Sequence, residues 1–132
     1  MAVAKQHTLG KNERLKSRKA IDEIFKGQRF TVPPFRVFFQ SASTDLQAGV
    51  TVPSRNFKKA VDRNRIKRLM REAWRLQNSE LKSLLQQNNK GLQVFIIYTG
   101  TEIPEFSLVK DKIGVVINKL VNAVNEKSAS TT

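Results

Sequence analysis

Cysteine is absent from this sequence, and histidine occurs only once, as His7. The lack of cysteine excludes disulfide bonds, thiolate zinc sites and cysteine nucleophiles. A single histidine also argues against a zinc enzyme or a Ser-His-Asp hydrolase. These missing residue types point away from a protein that carries out catalysis by itself.

Long apolar segments are missing as well. No run approaches the ~18 residues that a transmembrane helix needs, and the first ten residues lack the apolar core of a signal peptide. A chain of 132 residues has the size of one domain. We therefore expect a cytoplasmic protein that has no membrane partner.

Acidic residues are scarce, with 11 Asp and Glu against 24 Lys and Arg and a formal net charge of +13. A domain this basic usually binds a polyanion, most often nucleic acid. The carboxylates are scattered, and Asp22 and Glu23, adjacent on a predicted helix, cannot face one site together. Because a metal-dependent nuclease site made of protein needs converging carboxylates, we expect no catalytic residue and no metal ligand in this chain.

Hydrophobic periodicity predicts the element order α-β-β-α-β-α, with a short extra edge strand at 28–32 and room for one more helical stretch within 78–91. The strands at 35–40 and 47–52 are separated by a short polar turn, which predicts a hairpin. The pattern is typical of an α+β fold, a two-layer α-β sandwich. The predicted elements are helices at 13–26, 59–77 and 107–125 and strands at 35–40, 47–52 and 92–99.

The predicted domain organisation is simple. Residues 1–12 are polar and are expected to be a flexible N-terminal segment, whereas 127–132 are expected to form a disordered tail. Neither an internal repeat nor a domain boundary divides the part between them. We therefore predict a single α/β domain over 13–126, whose charge indicates nucleic-acid binding.

Basic residues concentrate between Arg55 and Arg75, where nine of them face only two acidic residues, Asp62 and Glu72. A helical wheel of this segment puts one apolar stripe opposite a cationic ridge. The ridge comprises Asn64, Lys67, Arg68, Arg71 and Arg75, with Arg63 and Arg65 beside it, and the stripe comprises Ile66, Leu69, Met70, Ala73 and Leu76. Trp74 lies at the border, as a core-edge residue rather than a base-stacking platform. Because like charges at i,i+4 repel, this ridge favours an external polyanion over an ordinary solvated face.

The same helix resembles the signature of the bacterial ribonuclease P protein family, which is Arg-Asn-Arg, then Ile/Val-Lys-Arg, then Arg-Glu/Gln-Ala-aromatic. Residues 63–68 and 71–74 match it in order and spacing. The resemblance extends in layout over 9–125. It departs from the family at Ile21, where an aromatic is frequent, at Pro53-Ser54-Arg55, where Ser-Lys-Lys is frequent, and at Phe57-Lys58-Lys59, which replaces a glycine.

The resemblance implies a fold with a left-handed βαβ crossover, similar to the second domain of a small-subunit ribosomal protein. It also implies the protein subunit of ribonuclease P, an endoribonuclease whose RNA subunit is the catalyst. Such a subunit binds the catalytic RNA and the 5′ leader of precursor tRNA, and it promotes Mg²⁺-dependent removal of that leader to give mature tRNA 5′ ends. Mg²⁺ is expected to be held mainly by the RNA subunit and the substrate. No small-molecule substrate is implied, and the protein is expected to be monomeric away from RNA.

The resemblance also assigns two sets of binding residues. Contacts with the catalytic RNA are expected from Arg55, Lys58, Lys59, Arg63, Asn64, Arg65, Lys67, Arg68, Arg71 and Arg75. Contacts with the leader are expected from Phe25, Arg36, Phe38, Thr51 and Ser54. Single strands are held by aromatic faces with flanking cations, but a phenylalanine is more often a core residue, and only the resemblance raises Phe38 to an equal candidate for stacking. Both roles therefore stay open for Phe25 and Phe38.

Three other functions compete with this one. A non-enzymatic RNA-binding protein, such as a ribosomal protein, has the same composition and differs only in the helix signature. A DNA-binding regulator would insert the basic helix into a major groove, but strands flank this helix and no helix-turn-helix precedes it. A membrane-surface protein is the weakest alternative, because the apolar stripe of the helix is needed for the core.

Overall fold

The structure is a computed structural model that describes residues 24, 25, 27–42 and 45–130, with side chains as far as residue 125. Within these residues one sheet is covered by helices on one of its faces, which confirms the predicted α+β class and the extra edge strand. The strands are β1 (Gln28–Val32), β2 (Phe35–Ala42), β3 (Leu46–Thr51) and β4 (Gly91–Tyr98), and the helices are α1 (Ala60–Gln77), α2 (Ser79–Gln87) and α3 (Phe106–Ser130).

The strand order is β1-β2-β4-β3, so β4 lies between β2 and β3. β2 pairs antiparallel with β1 and β4, whereas β3 pairs parallel with β4. The predicted hairpin between β2 and β3 is therefore wrong. Most of β4 is buried, on both faces of the sheet, and an apolar strand of this kind needs a neighbour on each side. The parallel pair β3–β4 is joined through α1 and α2, and the left hand of this crossover stays a prediction.

The main core lies between the sheet and the helices. Alternate residues of β2 face it, namely Phe35, Val37 and Phe39, as the period of two predicts. On α1 the buried residues are Ile66, Met70, Ala73 and Trp74. The buried stripe is thus rotated from the predicted one: Trp74 is only 1% exposed, and Leu76 is 49% exposed. α1 contacts both α3 and β3, so its buried face is set by two neighbours and not by its own apolar stripe alone.

Two predicted boundaries differ from the structure. α3 continues to Ser130 rather than ending near residue 125, because neither glycine nor proline interrupts the sequence there. The predicted helix at 13–26 falls outside the described residues except for its end, where Ile24 is helical and Phe25 lies in a turn. Residues 1–12, 131 and 132 also fall outside them.

Side-chain contacts fix the helix layer. The Gln77 Nε2 donates to the carbonyl oxygens of Ala73, at 3.1 Å, and Lys110, at 2.9 Å, which ties the end of α1 to α3. The Lys119 ammonium of α3 lies 5.7 Å from the centre of the Phe30 ring on β1. Of the helices in the described range, none combines the length and apolar character of a membrane-spanning segment.

Candidate nucleic-acid interface

The loop between β3 and α1 is held by a residue of the basic helix. The Arg63 Nη1 donates to two backbone carbonyls, those of Phe57 at 2.7 Å and Lys58 at 2.9 Å. From the same loop, the Asn56 Nδ2 donates to the Gly100 carbonyl at 3.3 Å. Arg63 was predicted to contact RNA, and the structure shows that its guanidinium also fixes the loop that leads into α1.

The basic residues of α1 differ in exposure. We call Asn64, Arg65, Lys67, Arg68, Arg71 and Arg75 the α1 ridge. Asn64, Arg65 and Arg68 are exposed, whereas Lys67, Arg71 and Arg75 are half-buried. Arg75 forms an ion pair with Glu72 at 2.6 Å. Arg65 and Arg68 have no ion-pair partner among the described residues, so they are the ridge charges most available to an external anion.

Three further predicted contacts lie just before α1. Arg55, Lys58 and Lys59 are all exposed. They extend the positive charge of the α1 ridge backwards along the chain toward the end of β3. Because opposing carboxylates are few here, the combined surface carries an uncompensated positive potential that suits a polyphosphate.

The second candidate surface is the sheet face opposite α1, α2 and α3, which we call the open face. Its side chains come from alternate positions of all four strands. They are Arg29 and Thr31 on β1, Arg36, Phe38 and Gln40 on β2, Gln47 and Thr51 on β3, and Gln93, Phe95 and Ile97 on β4. Ile24, Phe38 and Phe95 form a small buried cluster at its centre, with Ile97 packed beside them.

Phe25 is the exposed aromatic ring of the open face. Its ring meets Phe38 edge-to-face with 4.8 Å between centroids, and Phe95 in the same way at 5.7 Å. Phe25 is 42% exposed, whereas Phe38 is only 7% exposed. Of the two predicted stacking platforms, Phe25 therefore has a ring available to a base, and Phe38 lies beneath it as support.

A glycine holds Phe25 in this position. The Gly27 N–H donates to the Ile24 carbonyl at 2.9 Å, which closes the turn around Phe25. A Cβ on residue 27 would lie 2.8 Å from the backbone oxygen of Phe39. Since backbone cannot move aside easily, only glycine lets the chain pass this close to β2 as it enters β1.

Polar rows flank the aromatic centre of the open face. Toward one end, the Gln40 Nε2 donates to the Gln93 Oε1 at 2.6 Å, and the Gln93 Nε2 donates to the Gln47 Oε1 at 3.1 Å. Toward the other end, Arg36 on β2 and Thr51 on β3 occupy one cross-strand row, because both pair with Ile97 on β4.

The structure thus brings most of the predicted leader contacts together. Phe25, Phe38, Arg36 and Thr51 share the open face, and Ser54 is exposed in the loop that follows Thr51. The sequence prediction missed Phe95, the glutamine row and the two polar side chains of β1. Alternation along β4 would have put Phe95 on the face opposite Val94, but only the pairing of β4 with β2 shows that Phe95 supports Phe25.

The described part of the chain includes no group of three or more His, Cys, Asp or Glu side chains that could hold a metal ion. What the two surfaces offer instead is positive charge on α1 and an aromatic ring with flanking cations on the open face. These are the features that bind phosphates and unstacked bases.

Comparisons with known proteins show which family and which fold this chain is similar to. A family model described as Ribonuclease P matches residues 9–121. The ribonuclease P protein component of Porphyromonas gingivalis is 36% identical over 107 residues, which cover 77% of this chain and 78% of that protein. The fold is that of the RNase P protein from Thermotoga maritima, with a TM-score of 0.65 at 27% identity over 81% of this chain and 96% of that one. The RNase P protein of Staphylococcus aureus gives a TM-score of 0.69 at 19% identity, covering 83% of this chain and 96% of that one.

Proposed function

The chain belongs to the ribonuclease P protein family, and from this premise we propose that it binds the catalytic RNA through α1 and the 5′ leader of precursor tRNA on its open face. In doing so it promotes endonucleolytic removal of the leader, which leaves the mature tRNA 5′ end. The observation that supports this most directly is the exposed Phe25 ring on a face flanked by Arg36 and Thr51, separate from the cations of α1.

In this proposal each surface binds a different RNA. The α1 ridge, with Arg55, Lys58 and Lys59, neutralises phosphates of the folded RNA. On the open face, Phe25 stacks on an unpaired base while the Arg36 guanidinium and the Thr51 and Ser54 hydroxyls bond the leader backbone. Because β3 leads directly into the loop and α1, both RNAs are held in one fixed relation. Positioning of this kind raises the rate of a reaction that the protein does not itself perform.

Mg²⁺ supplies the metal-ion chemistry of the hydrolysis when it is bound. The described residues include no cluster of three or more His, Cys, Asp or Glu side chains that could hold it, and we propose that the RNA subunit and the substrate are its main ligands. The protein contributes by neutralising phosphates, which allows the RNAs to pack at lower Mg²⁺ concentrations. We propose a cytoplasmic location, where this RNA and its substrate meet.

The first test is 5′ processing of a precursor tRNA by the cognate catalytic RNA at low Mg²⁺, with and without this protein. We expect faster cleavage at the unchanged site. Tight RNA binding by the folded protein without any stimulation would contradict the proposal. That result would favour a non-enzymatic RNA-binding protein, such as a ribosomal protein.

The α1 surface is tested with Arg65→Ala/Arg68→Ala. Both side chains are exposed, so the fold should persist while affinity for the catalytic RNA falls. The charge-matched control is Lys110→Ala/Lys112→Ala, which removes two cations from α3, one exposed and one half-buried. If the ridge variant and the control bind the catalytic RNA equally well at moderate salt, α1 is not the binding surface.

The open face is tested with Phe25→Leu, which keeps apolar cover over Phe38 and Phe95 but removes the ring. Base stacking is worth about 1–3 kcal/mol, so affinity for leader-bearing precursor should fall roughly tenfold or more while affinity for mature tRNA is unchanged. Phe38→Ala is the contrasting variant, because truncating a buried phenylalanine costs about 3–5 kcal/mol of unfolding free energy. Equal losses with precursor and mature tRNA would remove Phe25 from the leader site.

A further inference from the structure

Three loops meet at the end of the sheet from which the chain enters α1. They are the β1–β2 turn at 33–34, the β3–α1 loop at 52–59 and the β4–α3 loop at 99–105. β3 and β4 are parallel and both end here, and Phe35 at the start of β2 pairs with Tyr98 at the end of β4. The β3–α1 loop is the direct link between the two candidate surfaces, since β3 on one side of it belongs to the open face and α1 follows it.

Hydrogen bonds join the three loops in series. The Thr99 N–H and hydroxyl both donate to the Pro34 carbonyl, at 2.8 and 2.9 Å, which ties the β4–α3 loop to the β1–β2 turn. In the other direction, the Asn56 Nδ2 donates to the Gly100 carbonyl at 3.3 Å, which ties the β4–α3 loop to the β3–α1 loop. Because the Arg63 guanidinium holds the last part of the β3–α1 loop, the bonds extend from the β1–β2 turn to α1.

Aromatic packing beneath the loops restricts them further. Phe57 of the β3–α1 loop is 7% exposed, and its ring lies 6.1 Å from the ring of Tyr98. The Tyr98 hydroxyl donates to the Glu102 carbonyl in the β4–α3 loop, so the same side chain contacts both loops. A Cβ on residue 100 would overlap the Tyr98 hydroxyl, and glycine therefore lets the β4–α3 loop pass close over this ring.

The β4–α3 loop is itself poorly suited to bind RNA. Its seven residues include no Lys or Arg, and the exposed Glu102 and Glu105 would repel phosphates. The β3–α1 loop that it holds is different, because it carries a predicted contact with the leader, Ser54, and a predicted contact with the catalytic RNA, Arg55. The β4–α3 loop therefore suits a supporting role rather than a binding role.

We propose that the β4–α3 loop fixes the distance between the two RNA-binding surfaces, and that Asn56 and Thr99 are positioning residues for the cleavage reaction. This inference rests on the proposed function. Because the β3–α1 loop contacts both RNAs, its position determines which phosphodiester of the precursor lies at the catalytic centre of the RNA subunit. A loop without this support would still bind both RNAs but would hold them at a range of distances, and a misplacement of about 1 Å can cost on the order of a hundredfold in rate.

The test compares Asn56→Ala with the parent protein, each complete and assembled with its catalytic RNA. Affinities for the catalytic RNA and for the precursor should stay nearly unchanged, because Asn56 contacts neither. The single-turnover cleavage rate of the saturated complex should fall roughly fivefold, the equivalent of one net hydrogen bond. Part of the precursor should also be cut at a neighbouring phosphodiester. A loss of rate without a loss of affinity indicates positioning.

Three further variants make the test specific. Thr99→Val keeps the shape and the backbone bond of Thr99 but removes its hydroxyl bond to Pro34, so it should fold and shift the cleavage site to a smaller extent. Asn56→Gln keeps an amide donor and should recover part of the lost rate. The matched control is Gln77→Ala, which removes another half-buried amide bonded to backbone carbonyls, at the other end of α1. It should cleave as the parent protein does, and urea unfolding shows that each variant is folded.

Several outcomes would overturn this inference. If Asn56→Ala and Thr99→Val both keep the rate and the site of cleavage, the β4–α3 loop does not position the RNAs. Lower affinity for either RNA would make Asn56 a contact residue instead, and an equal loss of rate with Gln77→Ala would assign the effect to stability alone. If the parent protein itself does not stimulate cleavage, the proposed function fails, and the positioning role fails with it.

Discussion

At the scale of single residues, the arginines of α1 lie in two different environments. Arg63 reaches back to the carbonyls of Phe57 and Lys58, whereas Arg68 is exposed and forms no such bond. We predict that Arg63→Ala lowers the free energy of unfolding by about 1 kcal/mol, because it removes the bonds of a charged donor at a partly exposed site. Arg68→Ala should change it by less than about 0.5 kcal/mol.

Urea unfolding of the two variants measures this difference in stability. Their affinity for the catalytic RNA is measured in parallel. Arg68→Ala should weaken RNA binding while the midpoint of unfolding stays in place. If Arg63→Ala unfolds at the same urea concentration as the parent protein, the guanidinium does not stabilise the loop and serves RNA contact alone.

The environment of Tyr98 leads to a prediction of how stability depends on pH. Its hydroxyl donates to the Glu102 carbonyl at 2.6 Å, and burial, followed by the Glu102 charge, raises the pKa of Tyr98 above 10.0. A pKa that is higher in the folded state gives stability that is complete below the unfolded pKa and is lost as pH rises through the folded pKa. The free energy of unfolding should therefore fall above about pH 10, and Tyr98→Phe should remove this part of the fall.

The measurement is direct because Tyr98 is the only tyrosine in the chain. The ultraviolet absorbance of phenolate follows its ionisation in folded and in urea-unfolded protein. Lysine titration is common to the parent and the phenylalanine variant, so the difference between them isolates Tyr98. Phenolate that forms at the same pH in the folded and unfolded chains would contradict the prediction.

The face of a strand on which a side chain lies was easier to predict from sequence than whether that side chain is buried. Alternation along β2 correctly separated Phe38 from Phe35 and Phe39, which lie in the main core. It could not show that Phe38 is buried, because its cover comes from Phe25 and from Phe95, which is distant in sequence. The burial of one side chain thus depends on contacts that no local pattern contains.

At the scale of elements, local signals predicted the strands and α1 well but not their pairing. The run from 92 to 98 is apolar at nearly every position, which indicated a buried central strand, and β4 is central. The same signal could have warned against a β2–β3 hairpin, since a central strand needs two partners. The short polar turn suggested the hairpin instead, because turn signals report sequence neighbours and not the parallel pairing of β3 with β4.

The α1–α3 contact yields an element-scale prediction. A Cβ on Gly114 of α3 would lie 2.9 Å from the Gln77 Oε1, the mobile end of a side chain. Alanine is favoured over glycine inside a helix by about 1 kcal/mol. Gly114→Ala should therefore stabilise the protein by less than this amount, because Gln77 must move away from its bond to the Lys110 carbonyl.

A double-mutant cycle measures the coupling. In a Gln77→Ala background, Gly114→Ala should stabilise by the full value of about 1 kcal/mol, since nothing then has to move. Unfolding free energies of the four proteins give the coupling energy directly. Additive effects would mean that the Gln77 amide does not restrict the approach of α3 to α1.

At the scale of the whole molecule, the distribution of charge says more about the candidate RNA-binding surfaces than the net charge does. A net charge of +13 predicted a nucleic-acid partner from composition alone, and the wheel located its strongest patch on α1. What composition could not provide is the second surface, because the open face is assembled from four strands whose order was not predicted. The open face exists only because the topology brings these four strands into one sheet.

This charge predicts how RNA binding and folding respond to salt. Arg55, Lys58, Lys59, Arg65 and Arg68 are exposed, and Lys67 is half-buried beside them. If these six residues contact phosphates of the catalytic RNA, log affinity should fall against log salt with a slope of about −4 to −5. Filter binding over a series of potassium chloride concentrations measures the slope, and a value near zero would contradict phosphate contact.

The free protein should respond to salt in the opposite direction. Like charges on α1 repel when no RNA is present, and salt screens that repulsion, so the unfolding free energy should rise as RNA affinity falls. Arg65→Ala/Arg68→Ala relieves part of the repulsion and should reduce both dependences together, by about 1.4–1.8 in the binding slope. A variant that changes only the binding slope would show that the repulsion is already relieved within the protein, which would leave RNA contact as the only role of these charges.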